Sequence, residues 1–407
     1  MLYRDSKKND TSQGPTIAFL GDVAIHGKVQ KIIKKGNEDK VFGEIKNILQ
    51  SHDLTIFNLE TPLCSCDSPI IKSGPNLKGD PTCAQFLRRV GLNVACLANN
   101  HCMDYGVDGL KETIEACHNA SIKTVGAGRN ADEAYRPLVF DIKNVKTAIL
   151  NVAEGEEAKS VLGKGGAADA FSCRSIENLR KVRKEMDVVI VVAHAGCEYL
   201  QIPAPYVIDL YRRFADEGAD LVVGHHPHVP QGIEYYNGTL IAYSLGNFLF
   251  DFGRKSYGIP LLYQGLILIT EFDGDKLFRA TVCPGSFDPR LERLLLMKGD
   301  EKKAFLKDIK RISAFLSNSD YYQERWNDHC RLRLREATPG IIGALIAISP
   351  NLSEFGKILI EGIITSVMKR KNRRKAAAYL KNNIKTHAHL DRILTALDEI
   401  IEQRNDY

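Results

Sequence analysis

Short, continuous apolar runs recur along the first two thirds of the chain, with amphipathic stretches between them. TIAFL (16–20), LTIFNL (54–59), NVACLA (93–98), TAILNVA (147–153), VVIVVA (188–193), LVVG (221–224), LIAYSL (240–245) and LILITEF (266–272) are rich in β-branched residues and bounded by Gly, Asp or Asn. Runs of this kind predict strands buried on both faces. Residues 81–90, 109–119, 175–184 and 206–217 carry apolar positions three and four apart, the spacing of a helix with one buried face. Strand and helix in alternation predict an α/β layered core over residues 15–290. Residues 255–290 have fewer helical signals and predict antiparallel strands at a sheet edge.

After about residue 290 the strand signals stop, and Leu, Lys, Glu and Arg take over at helical spacing in 291–317, 320–336, 351–369, 372–384 and 388–404. The reading is an α-helical C-terminal region over 291–407 that docks on the core. The most apolar stretch there, 339–350, is roughly half of the ~20 residues a membrane span needs, so it predicts a buried helix. The basic run MKRKNRRK, opened by Met368 and closed by Lys375, reads as a solvated helix face or end. Its sharper alternative is peripheral contact with an anionic membrane surface or polymer.

Composition narrows the class without naming a function. The 407 residues are 44% apolar and 26% charged, ordinary for a globular protein with a sizeable core. A net charge of +5 is too small for a dedicated nucleic-acid binder, so no specific nucleic acid is expected. Residues 1–15 are polar, with no apolar run after Arg4, Lys7 and Lys8. No secretory signal is read there, and a cytoplasmic location is expected. The ten scattered cysteines then read as reduced thiols, and Cys64 and Cys66, without a second pair at zinc-site spacing, as loop residues.

The chemistry lies where the predicted strands end. Asp22 follows 16–20 in FLGD, Glu60 follows 54–59 in NLE, and Asn100 and His101 follow 93–98 in NNH. His194 closes 188–193, and His226 and His228 follow 221–224 in GHHPH. Side chains just past the carboxyl ends of strands in an open α/β sheet converge on one crevice. Carboxylate, carboxamide and imidazole together suit divalent ions such as Mn, Fe, Zn or Ca, with no thiolate required. Two such ions about 3.5–4 Å apart clamp a reacting oxyanion. Each fragment alone is a weak signal; their joint occurrence is not.

GDV (21–23), FNLETPL (57–63), LANNHCMDYG (97–106), HAGCEY (194–199), GADLVVGHHPHVPQGIE (218–234) and LIAYSLGNFLFD (240–251) resemble the successive motifs of the CapA-like capsule and poly-γ-glutamate synthesis family, within the calcineurin-like metallophosphoesterases. The resemblance covers residues 15–252 and leaves out the C-terminal helices. It implies a four-layer αββα metallophosphatase-like sandwich with two divalent metal ions. Carried over by motif, Asp22, Glu60, Asn100, His194, His226 and His228 would be ligands, with Glu60 bridging. His101 would be general acid and oxyanion stabiliser. His225 stands outside the H-x-H pair, as a partner of the ligands or a substrate-side group. Lys72 and Lys78, in the Gly- and Pro-rich loop PIIKSGPNLKGDP (69–81), would bind a carboxylate or phosphate. Glu198 and Asn247 would position substrate or a neighbouring group. The pattern departs from many phosphoesterases at Ala24, where Asp-x-His would place a histidine (the nearest is His26), and at the small Ala195.

These residues support three functions. The first is a hydrolase or transferase that attacks an anionic polymer or peptide with a metal-activated hydroxide. The second is a metal-dependent peptide epimerase, in which His101 and either His194 or His225 exchange a Cα proton. Solvent deuterium entering substrate without cleavage separates it from the first. The third is a non-catalytic assembly factor that docks through its C-terminal helices.

Overall fold

The computed structural model describes residues 3–4, 14–72, 74–155, 158–160, 165–256, 258–290, 292–317 and 322–330. The apolar stretch 339–350, the basic run 368–375 and the helices expected over 351–369, 372–384 and 388–404 lie outside them, as do residues 331–336 of the helix expected over 320–336. Two compact units are present, Met1–Pro69 with Leu77–Ser317, and Ile70–Asn76 with Asn318–Tyr407.

The first unit holds two large sheets. One has Thr16–Val23 at its centre, parallel to Leu54–Leu59, which is parallel in turn to Val94–Cys96 and that to Lys123–Val125. On its other side Gln264–Asp273 and Lys276–Asp288 add antiparallel strands, and the short strand Asn247–Leu249 pairs parallel with Thr16–Val23. The other sheet sets Val145–Ala153, Val188–His194, Leu221–His225 and Thr239–Ala242 side by side in parallel, with antiparallel Leu138–Ile142 and Ile233–Tyr236 at its edges.

Alternation along each strand explains why continuous apolar runs were needed. Ile17, Phe19, Ile56, Val94 and Cys96 share one core with Ile149, Val188, Ile190, Val192, Leu221 and Val223 of the second sheet. Ala18, Leu20, Phe57, Leu59, Ala95 and Leu97 point the other way, onto Val29, Ile32 and Ile33 of the helix Gly27–Lys34, Phe86 and Leu87 of Cys83–Arg89, and Leu110 and Cys117 of Gly106–Asn119. Both faces being buried, the runs are apolar on both sides of the strand, with polar residues such as Thr55 and Asn58 the exceptions. The outer face of the second sheet carries the helices Cys173–Arg183 and Pro205–Asp216. There Tyr211 stacks on Tyr243 at 5.5 Å and donates its hydroxyl to Ala193 O. The layers run helix, sheet, sheet, helix, as the motif resemblance implied.

The first unit runs on to Ser317. The strand Arg293–Leu296 pairs with Lys276–Asp288, and the helix Gly299–Phe315 buries Ile309 in the core between the sheets. The helical spacing read from residue 291 therefore opens with a strand, whose four residues are too short for periodicity to distinguish it from a helix turn. In the second unit, 322–330 form a helix in which the Gln323 amide donates to Asn327 at 2.8 Å. All ten cysteines are free. Among the described residues, no helix is long and apolar enough to cross a membrane.

Candidate metal centre

Strand register builds the site. Asn247, Asp22 and Asn58 lie side by side across three strands of the first sheet, and His194 and His225 are register partners in the second. The pairing of Thr16–Val23 with Leu54–Leu59 shifts between Phe19 and Asp22, a local irregularity of the kind that re-aims a side chain at a strand end. Just beyond it, His226 and His228 adopt φ of 97° and 59°, and Tyr199 adopts 64°. Left-handed backbone in bulky residues costs about 1–3 kcal/mol each and concentrates at functional sites. Here it is held by Tyr199 N donating to Pro227 O at 2.8 Å and by the Gln231 amide donating to Leu200 O and Ile202 O.

The buried side chains form two groups. In the first, Asp22, Glu60 and His228 bring one potential ligand atom each within 4.8 Å of one another. His228 Nδ1 lies 3.0 Å from Asn247 Oδ1, and the Asn247 amide nitrogen donates to His228 O and Leu262 O. That commitment makes Asn247 Oδ1 an acceptor and His228 Nδ1 an N–H. The lone pair of His228 is then on Nε2, 3.5 Å from Glu60 Oε1. In the second group, His194 Nε2 lies 3.1 Å from Asn100 Oδ1 and 3.0 Å from His226 Nδ1. The two groups meet at Asn58, whose Nδ2 donates to Asp22 Oδ1 at 2.8 Å and lies 3.2 Å from His194 Nδ1.

Burial and mutual repulsion favour neutral imidazoles. His194 is pushed well below the usual histidine range by burial and by the charges His226, His225, His228 and His101 would carry. His226 is lowered by burial, against the opposing pull of Glu198. Burial alone would raise the Asp22 carboxyl, yet the His225 hydrogen bond, the nearby histidines and Asn58 outweigh it and hold it below its ordinary value. Neutral imidazole and ionised carboxylate are the forms that bind divalent ions, so the donor set fits such an ion.

His101 stands at the rim of the first group, with Nε2 3.9 Å from Glu60 Oε1 and Nδ1 2.7 Å from Asp104 Oδ2. Asp104 also accepts Leu77 N at 2.6 Å. His225 Nδ1 faces Asp22 Oδ1 at 3.0 Å and the residue is buried, and Asn247 is committed to His228 and Leu262. Lys78 donates to Cys66 O, Ser65 O and Asp67, away from the cluster's donor contacts. Lys72 belongs to the second unit, within Ile70–Asn76, and is buried. Ala24 packs with Leu77 and Phe250 and offers no donor where many phosphoesterases have a histidine. His26 sits edge-on to Phe250 at 5.7 Å, and burial lowers its pKa against the pull of Asp251.

Motif reading assigned no role to Asn58, Asp104, Tyr199 or Phe252. Asn58 was detectable as a polar residue inside a buried strand, and Asp104 by its place three residues after His101. Tyr199 and Phe252, whose rings lie 5.9 and 5.4 Å from the His228 ring, left no signal of their own: Tyr199 only closes HAGCEY, and Phe252 lies just past LIAYSLGNFLFD.

Residues 16–252 match the family model described as "Bacterial capsule synthesis protein PGA_cap", more than half of the chain. The chain belongs to that family. A PGA_cap assignment agrees with the family expected from the NNH, GHHPH and SLGNF motifs. Over 251 residues the chain is 33% identical to "PGA biosynthesis protein CapA" of Bacillus subtilis (strain 168), covering 58% of this chain and 63% of that protein. Over 256 residues it is 30% identical to "Capsule biosynthesis protein CapA" of Bacillus anthracis, covering 60% and 62%. The match thus spans less than two thirds of either relative. A solved structure titled as a novel phosphatase, from Mycoplasma pneumoniae, is similar at TM-score 0.46 and 18% identity, over 69% of this chain and 97% of that one.

Proposed function

We propose that this PGA_cap family chain is a metal-dependent hydrolase or transferase acting on an anionic polymer or peptide of the capsule or poly-γ-glutamate class. One observation carries the reading: two groups of buried donor atoms, one from Asp22, Glu60 and His228 and one from Asn100, His194 and His226, meet at a shared edge of the two sheets. Each group would hold one divalent ion. When bound, such ions supply Lewis acidity toward a phosphoryl or carbonyl oxygen and a source of hydroxide near neutral pH. The substrate class rests on the family and on what the names of the Bacillus relatives say of those proteins.

The chain's own residues supply the rest. Asp104 accepts a hydrogen bond from His101 Nδ1–H and stabilises the imidazolium, which leaves Nε2 as the group that protonates a leaving atom. Asn247 fixes the His228 ring by holding Nδ1. Tyr199 and Phe252 set their rings against His228 on one side.

Elemental analysis tests the reading, on the wild type and on a folded Glu60→Ala plus His228→Ala variant, after loading with Mn, Zn, Fe or Ca. Two ions per wild-type chain, lost in the variant, followed by cleavage of oligo-γ-glutamate, is the expected result. A wild type that retains no ion after loading refutes the catalytic reading.

A further inference from the structure

Asp22 receives more attention from its neighbours than a ligand carboxylate needs. Its Oδ1 accepts Asn58 Nδ2 at 2.8 Å and faces His225 Nδ1 at 3.0 Å. Its Oδ2 has only a long 3.4 Å contact from His226 N and lies 3.5 Å from His228 Nδ1. The direction of the Asn58 amide follows from a chain of bonds that begins at the backbone. His101 N donates to Asn99 Oδ1, so Asn99 turns its nitrogen to Leu59 O and to Asn58 Oδ1. Asn58 therefore turns its own nitrogen to Asp22. His225 Nδ1, facing an acceptor-only carboxylate oxygen, is an N–H.

Two donors occupy the two lone pairs of Oδ1. We infer that Asn58 and His225 are positioning residues that pin Asp22 Oδ1, so that Asp22 presents Oδ2 alone to an ion held with Glu60 and His228. The inference rests on the metal reading of this edge. It takes His225 away from the substrate side, where the motif left it as an alternative. It also gives a reason for a polar residue near the end of the buried strand Leu54–Leu59, where Asn58 is 1% exposed. Because Asn58 also lies beside His194 Nδ1, it ties a donor of one sheet to a donor of the other. His225 serves Asp22 alone among these contacts.

The test is Mn²⁺ binding to the full chain by calorimetry, with electron paramagnetic resonance of the bound ion. It uses wild type, Asn58→Ala, His225→Ala and His225→Asn, alongside thermal melts of each metal-free protein. Outer partners that orient a ligand typically change ion affinity by 10–100-fold. Both alanine variants are expected to fold and to bind about 10–100-fold more weakly, with an altered resonance spectrum. His225→Asn, which restores an N–H donor toward Oδ1, regains most of the affinity. Wild-type affinity in both alanine variants overturns the inference, as does a loss that His225→Asn does not repair while the metal-free melts are unchanged. If the wild type itself binds neither Mn²⁺ nor Zn²⁺, the metal reading fails first. Wild-type binding matched by both alanine variants leaves that reading standing and removes only the inference.

Discussion

Gly21 sets the position of Asp22, and alanine in its place should disturb fold and site together. A Cβ added there would lie 2.0 Å from Gly246 O and 2.9 Å from its carbonyl carbon. Ordinary contact begins near 3.4 Å, so the two backbones have to part by about 1.4 Å to regain it. Gly246 O is also the acceptor of the Asp22 N–H, at 2.9 Å. Parting them loses a net 0.5–1.5 kcal/mol or so for that bond, beside about 1–3 kcal/mol for overpacking a dense interior. The sum, roughly 2–4 kcal/mol, corresponds to a melting point about 3–6 °C lower for a unit of this size. The same displacement moves Asp22 and Asn247 relative to His228, so the variant should also bind Mn²⁺ about 10–100-fold more weakly. Thermal melts and metal titration of wild type, Gly21→Ala and Asp22→Asn check this. Asp22→Asn should lose ion affinity without the backbone clash. A Gly21→Ala protein with wild-type melting point and ion content would refute the claim that this close approach places Asp22.

Three further outcomes are expected. Asp104→Asn leaves His101 without the carboxylate that stabilises its imidazolium; cleavage of oligo-γ-glutamate should fall by about 10²-fold or more with ion content unchanged, which turnover and elemental analysis together decide. Burial keeps His194 and His226 neutral in the folded metal-free protein, while in the unfolded chain they protonate near 6.5. Stability is therefore full above that pH and declines as pH falls below it, by about 1.4 kcal/mol per pH unit for each histidine that stays neutral; urea unfolding from pH 7.5 to 5 measures the slope, and His194→Gln should flatten it. At Tyr199, where φ is 64°, glycine should be more stable than alanine by about 1 kcal/mol, because the left-handed backbone penalises any Cβ; equal melting points for the two variants would argue against that conformation.

The parts of the fold that were legible in the sequence are those in which both sides of a strand are buried. LTIFNL and VVIVVA could be read because no position along them meets water, and the strands Leu54–Leu59 and Val188–His194 are buried throughout. Leu138–Ile142 alternates between buried or partly buried and exposed positions at the edge of its sheet, and its three-residue apolar run, Leu138, Val139 and Phe140, is too short to mark it. Arg293–Leu296 was hidden for a related reason: its four residues give no period to count. The candidate ligand residues were legible because each sits at or just past the end of a predicted strand. Their partners were not, because hydrogen-bond direction is a property of three dimensions. Nothing in FNLE says that Asn58 gives its nitrogen to Asp22, 36 residues away in sequence, and nothing in GHHPH says which of three histidines turns inward to support a carboxylate.

The arrangement also explains why the core between the sheets is part of the chemistry. Asp22, Glu60 and Asn100 stand at or just past the carboxyl ends of strands of the first sheet, whereas His194, His226 and His228 stand at or just past those of the second. Each group of donors therefore mixes the two sheets: His228 completes Asp22 and Glu60, and Asn100 completes His194 and His226. Neither sheet alone supplies a full set. The geometry is held by the packing of Phe19, Ile56 and Val94 against Ile190, Val192 and Val223, and by the close cross-sheet approach of Asn58 Nδ2 to His194 Nδ1, at 3.2 Å. A substitution that lets the sheets slide, far from any donor, would open both groups at once. Interiors packed at crystal-like density transmit such displacements instead of absorbing them, so ion affinity should track the fit of the inter-sheet core as closely as it tracks the ligands themselves.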